Sequence, residues 1–78
     1  MNHELKILPI YFNDIKKGLK NFELRKNKNF KIGDKIILKE HNKKKYTGRE
    51  IIKEIKYILK DVPQYGLKSK YVILSFND

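Results

Sequence analysis

The sequence has no cysteine, no tryptophan and no alanine, and only two prolines and two arginines among its 78 residues. Without cysteine, neither a disulfide framework nor a thiolate zinc site can supply stability. No apolar run approaches the ~20 residues of a membrane span, and the N-terminal residues lack a signal-peptide core. With no thiol to oxidise and no export signal, a cytoplasmic protein is expected. Residues 1–78 suit one domain near the lower end of what folds unaided. Its core must come chiefly from eleven isoleucines and nine aromatic residues. At roughly 25 cal/mol per Å² of buried apolar area these suffice for a small core with little spare. A monomer or a weak homodimer is expected.

Cations are abundant. Nineteen Lys and Arg against nine Asp and Glu give a formal net charge of +10. Such a field concentrates polyanions, and nucleic acid is the commonest of these in a cell. Composition offers a second explanation, because Lys, Ile and Asn make up 35 of the 78 residues, the drift of an AT-rich genome. Both readings stand on charge alone. The two arginines discriminate better. Seventeen of the nineteen cations are lysine, so Arg25 and Arg49 are departures from the default. A planar guanidinium is not replaceable by an ammonium where two-pronged contact matters.

Alternation predicts a strand over 3–8, with His3, Leu5 and Ile7 on one face and Glu4 and Lys6 on the other. Pro9 suits the first turn of a helix. Phe12, Ile15 and Leu19 fall at helical spacing and are expected to face the core. Lys16 and Lys17 complement the helix C-terminus, and Gly18 can close it in the left-handed conformation. A second strand follows in Phe22-Glu23-Leu24-Arg25, whose period of two predicts Phe22 and Leu24 inward and Glu23 and Arg25 on the other face. The polar run 26–31 leads to a turn at Ile32-Gly33-Asp34 and a strand over 35–40, then a loop at 41–44.

The segment 46–59 is ambiguous. Ile51, Ile52, Ile55, Ile58 and Leu59 have helical spacing, yet the density of Ile and Tyr suits a pleated surface. The strand reading places Ile51, Ile55, Tyr57 and Leu59 inward and needs a bulge to excuse Lys53. Residues 61–70 form a loop around Pro63 and Gly66. A strand over 71–76, apolar on both faces, is expected at the centre of its sheet.

The residues Gly18-x-Lys20-x-x-Glu23-x-Arg25 resemble the G-x-K-x-x-E-x-R signature of the ASCH group within the PUA-like superfamily. The resemblance continues in His3 to Pro9, Phe22 to Asn27, Gly33-Asp34, Tyr46-Thr47-Gly48-Arg49, Tyr65-Gly66-Leu67 and Tyr71 to Leu74. These segments are similar to a branch of short bacterial and phage proteins named only as a domain of unknown function. The resemblance implies a mostly β, α+β fold: a partly open barrel of about five strands with one helix after the first. It favours strand for 46–59, and it implies a cleft lined by the signature residues.

Two kinds of chemistry follow. In the first, Glu23 holds Lys20 or Arg25 at the cleft edge, leaving cationic donors for a phosphate or a base edge. PUA-like domains are chiefly associated with RNA, so the resemblance implies an RNA-binding module, or one taking a nucleotide-like ligand. Lys20, Glu23, Arg25 and Arg49 would line its site. Tyr46 or Tyr65 would stack on an unpaired base. In the second, the chain resembles ASCH-type amidohydrolases that remove the acetyl group of N4-acetylcytidine with a Lys, a Thr and a Glu. Lys20 matches the lysine, but Glu23 stands where that type has threonine. A carboxylate cannot replace a hydroxyl nucleophile, although it can act as a base for water. Glu50 or Glu54 would be a further carboxylate. Binding is therefore the expectation, with Lys20 and Glu23 as the catalytic pair if there is turnover.

A small protein-interaction module is a third class, supported only by size and charge. No metal or cofactor is expected. His3 and His41 lack ligands at metal spacing, and the glycines are isolated turn residues rather than a phosphate loop. Ser69 and Ser75 have no histidine partner in sequence context.

Overall fold

The computed structural model describes residues 1–76. The chain runs β1 (Asn2–Ile7), α1 (Pro9–Lys16), β2 (Phe22–Lys26), β3 (Lys35–His41), β4 (Tyr46–Glu54), β5 (Tyr57–Leu59), a short 3₁₀ turn (Pro63–Tyr65) and β6 (Tyr71–Ser75). It is mostly β, with one α-helix after the first strand. The strands form two three-stranded sheets, ordered β1-β3-β4 and β2-β6-β5, and the sheets do not close into a barrel. β1 and β3 are parallel; the other pairs are antiparallel. β6 is central in its sheet, as its two-sided apolar character requires. No helix of the described residues is long and apolar enough to cross a membrane.

One core fills the space between the sheets. Leu5 and Ile7 of β1, Ile36 and Leu38 of β3, and Val72, Leu74 and Phe76 around β6 meet Phe12 and Ile15 of α1. Pro9 opens the helix and Gly18 closes it at φ 78°, a left-handed conformation in which glycine carries no Cβ penalty. Leu19 does not join the core. The turn at Gly18 breaks the helical phase, and Leu19 is left 74% exposed. Phe30 takes up core space instead, buried with its ring 4.6 Å from that of His3.

The phase of β2 is the reverse of its amphipathic reading. Glu23 is buried, whereas Phe22 and Leu24 are exposed. The inward carboxylate is tolerated because cations enclose it, as the geometry of the site explains. The segment 46–59 is strand, but not one strand. Ile55 N–H donates to Asp34 C=O and Gly33 N–H donates to Ile55 C=O, both at 2.8 Å; Lys56 N–H then donates to Ser75 C=O at 2.7 Å. Within two residues the chain leaves one sheet and enters the other. Ile55, fully buried, is the pivot. The crossing shifts the alternation, so Ile58 packs against the core while Tyr57 and Leu59 face out.

Another buried carboxylate, Asp34, anchors the start of β3. It accepts from the Met1 amino group at 3.2 Å and Lys31 N–H at 3.1 Å, and pairs with His3 Nε2 at 2.8 Å. The bond to His3, more than any other contact, holds its carboxyl at about 2, below the ordinary 3.8.

Candidate functional site

β1 and β2 are edge strands of different sheets, and they border the gap between the sheets. The signature residues lie there. Gly18 ends the helix, the chain turns, and Lys20 folds back over the start of β2. Its ammonium donates to Phe22 C=O at 2.8 Å and to Glu23 Oε1. It also lies 5.3 Å from the Tyr11 ring centroid and 5.0 Å from that of Phe22, within cation–π reach of both. The other oxygen of Glu23 accepts from Arg25 Nε at 2.8 Å. Arg25 then reaches across the gap, donating through a terminal nitrogen to Lys6 C=O at 2.6 Å. Residues i and i+2 of a strand share a face, so Glu23 and Arg25 pair along β2. The pairing satisfies a carboxylate that burial alone would make costly.

Around these groups lies a cleft of about 530 Å³, lined by Lys6, Tyr11, Lys20, Phe22, Glu23 and Arg25 among others. A second hollow of about 310 Å³ is lined by Glu4, Lys6, Arg25, Lys28, Lys39 and Tyr46. Lys6 and Arg25 border both, so the two hollows make one groove. Tyr46 forms a floor for cations: Lys6 Nζ and Lys39 Nζ each lie 5.8 Å from its ring centroid. The pairing of β1 with β3 puts Lys6 beside Lys39, and an ion pair of 3.5 Å joins Lys39 to Glu4. From the sequence, Lys28 falls among the lysines around 26–31 expected to add only nonspecific attraction, and Lys6 and Lys39 do not stand out among seventeen lysines. The register of β1 with β3 separates Lys6 and Lys39 from the rest, and the hollow they line also takes in Lys28 from the loop after β2.

The structure brings Lys20, Glu23 and Arg25 together, and Tyr46 joins them through the shared groove. Arg49 stands apart. Its Nε donates to Glu40 Oε1 at 2.9 Å, and a terminal nitrogen donates to Glu40 Oε2 at 2.7 Å and to Asn13 Oδ1 at 3.0 Å. The guanidinium lies 4.6 Å from the Phe12 ring centroid. Thr47 Oγ1 adds a 2.5 Å bond to Glu40 Oε1. The donors of Arg49 and then Thr47 lower the buried Glu40 carboxyl from 4.5 to about 2, and Glu40 raises the Arg49 value in turn. This cluster ties β3 and β4 to α1. Arg49 also borders a hollow of about 250 Å³ with Gly48, Glu50 and two residues of the groove, Lys39 and Tyr46, so its exposed side adjoins the Tyr46 end of the groove.

Tyr65 lies at the end of the 3₁₀ turn and is 83% exposed; the following residue, Gly66, lines a hollow with Leu24, Leu67, Lys68 and Tyr71. Tyr65 lines neither part of the groove. Glu54 pairs with Lys35 and Lys56, and Glu50 lies on β4; neither lines the Lys20 cleft. Among the described residues, no group of three or more His, Asp and Glu is placed to hold a metal ion.

Comparison with known proteins gives one assignment. The model of the family described as "Domain of unknown function (DUF3850)" matches residues 2–76, and the chain belongs to that family. No curated protein matches it.

Proposed function

We propose that this member of the DUF3850 family is an RNA-binding module of the ASCH type within the PUA-like superfamily, acting through the groove between β1 and β2. The observation that carries the reading is the convergence of Lys6, Lys20, Arg25, Lys28 and Lys39 on that groove, with Tyr11, Phe22 and Tyr46 among them. Phosphates pair with the cations, and an unpaired base has aromatic faces on which to stack. Glu23 fixes the direction of Lys20 and Arg25 and neutralises only one of the two charges. Holding the donors in place lowers the ordering cost of binding.

The test is a titration of labelled single-stranded and duplex RNA at about 50 and 200 mM salt. Each phosphate contact to a single strand contributes about −0.7 to the slope of log K against log salt. Three or four contacts therefore give a slope between about −2 and −3, and Lys6→Gln and Lys39→Gln each make it shallower. No binding at the lower salt, or binding indifferent to both substitutions, overturns the proposal.

A nucleoside hydrolase is the second reading, favoured by the direct contact of Lys20 with Glu23 inside a cleft. Two observations rank it lower. Both oxygens of Glu23 already accept from cations, so both are engaged within the protein rather than turned to a water. The only threonine of the chain, Thr47, donates to Glu40 rather than facing Lys20. Release of cytidine from N4-acetylcytidine by the wild type, abolished in Lys20→Ala, would reverse the ranking.

A further inference from the structure

The outer face of the β2-β6-β5 sheet carries apolar side chains with no layer over them. Register places Phe22, Ser75 and Tyr57 in one row and Leu24, Ile73 and Leu59 in the next; Lys26 pairs with Tyr71 beyond. Phe22, Leu24, Tyr57, Leu59 and Tyr71 are each more than a third exposed. This is why Phe22 and Leu24 point away from the core: β2 lends its apolar side to this face and its charged side to the groove. Exposed apolar area of this extent on a small domain marks an interaction site more often than not.

Charge selects the occupant. The strand residues on this face include no carboxylate, and Lys26 is among them. Lys68 lines the hollow at one side with Leu24 and Tyr71, and Lys60 and Lys70 adjoin Leu59 and Tyr71 in sequence. A second copy would bring two lysine rims together on chains of net charge +10 each. The five side chains also offer only about 500 Å², at 150–250 Å² for a whole aromatic side chain, short of the roughly 800 Å² per partner of a stable dimer. Nucleobases fit on both counts: they are flat and apolar-faced, and they arrive on a polyanion. Phe22 and Leu24 line the groove cleft as well, so the face continues from the groove without a break.

We infer that this sheet face is a stacking platform for unpaired bases, with Phe22, Tyr57 and Tyr71 as the rings, so that the module takes single-stranded RNA extending from the groove. The inference rests on the RNA reading of the groove and names its substrate class. A duplex cannot use the platform, because its bases are already stacked.

Fluorescence anisotropy with a labelled ten-nucleotide single strand, and with the same strand in a duplex, tests this in four proteins: wild type, Tyr57→Ala, Tyr71→Ala and Lys6→Gln. Stacking on one ring is worth about tenfold in affinity or more. Tyr57→Ala and Tyr71→Ala are each expected to weaken single-strand binding about tenfold, with the salt slope unchanged and duplex binding unaffected. Lys6→Gln is expected to make the slope shallower for both RNAs. If the tyrosine variants bind like wild type while Lys6→Gln weakens binding, the platform is wrong and the groove reading stands. If no RNA binds the wild type, the groove reading fails and the platform with it. Sedimentation showing a dimer that Tyr57→Ala dissociates would put a second copy on the face and overturn the inference. Tyr57 is 59% exposed, so the thermal transition of Tyr57→Ala is expected within a few degrees of wild type, whereas Tyr71, at 37%, is expected to lose roughly 5–10 °C and is assayed well below its transition.

Discussion

Glu23 and Glu40 are both buried carboxylates with an arginine partner, yet they leave different capacities unused. Glu40 takes both forks of Arg49 and the Thr47 hydroxyl, while Arg49 spends its remaining reach on Asn13 and its flat side on Phe12. Both oxygens of Glu40 are thereby engaged and the pair ties a sheet to the helix, although the Arg49 side chain itself stays 45% exposed. Glu23 instead gathers two cations at an open gap between edge strands. One positive charge is left over, beside a groove that holds more lysines. The same residue types thus serve as a clamp in one place and as the lip of a binding surface in the other. What separates them is the number of cations per carboxylate and whether the surroundings are sheet or gap.

The comparison breaks most visibly at Glu40. Glu40→Gln removes the charge from a bidentate pair and is expected to lower the melting temperature by roughly 10 °C, because hydrogen bonds to charged groups are the stronger ones. RNA affinity should not change. A calorimetric transition within a degree or two of wild type would deny the clamp. The pH dependence of stability sharpens the same point. The Glu40 carboxyl is lowered from 4.5 to about 2 and that of Asp34 from 3.8 to about 2, so the unfolded chain binds protons first as pH falls. Their contribution is complete above about pH 5 and is lost progressively toward pH 2. Stability from denaturant titrations should fall as pH drops through that window in wild type, and fall less in Glu40→Gln and in Asp34→Asn.

At the other centre, Glu23→Gln should cost only a few degrees of melting temperature, about half the Glu40 effect, since water in the cleft can solvate the released cations. The signature effect is on binding. Removing one negative charge from the lip should raise low-salt RNA affinity about two- to fivefold, the size of one unit charge at a groove width in water. Unchanged affinity would mean that Lys20 and Arg25 do not meet RNA. The smallest effect is expected at Leu19, where Leu19→Ser should move stability by less than about 0.5 kcal/mol. A core residue would lose several times that.

Leu19 also shows where sequence patterns stop being readable. Its spacing from Phe12 and Ile15 fits a helix, but Gly18 ends the helix one residue earlier and rotates the chain. Faces paired within one sheet were legible: Leu5 and Ile7 of β1, Ile36 and Leu38 of β3, and Val72, Leu74 and Phe76 around β6 alternate as local burial demands. Faces set by a second sheet were not. The alternation of Phe22 and Leu24 with Glu23 and Arg25 was plain, but its direction depended on Lys20 arriving over Glu23 and on β6 offering an uncovered outer side. Likewise the break at Ile55 and Lys56 is written in hydrogen bonds to Asp34, Gly33 and Ser75, none of which is near in sequence. For the site, the motif of Lys20, Glu23 and Arg25 was legible as a cluster. Lys6 and Lys39 were hidden by the abundance of lysine, and the partner of Arg49 by the eight residues between it and Glu40.

The most direct test of the central claim is an amide-resolved NMR titration with a short single-stranded RNA at moderate salt. Shift changes concentrated at Lys6, Lys20, Arg25, Lys39 and Tyr46, with Glu40 and Arg49 still, are the result the two-centre account predicts. Changes spread evenly over the lysines, or centred on Arg49, would contradict it.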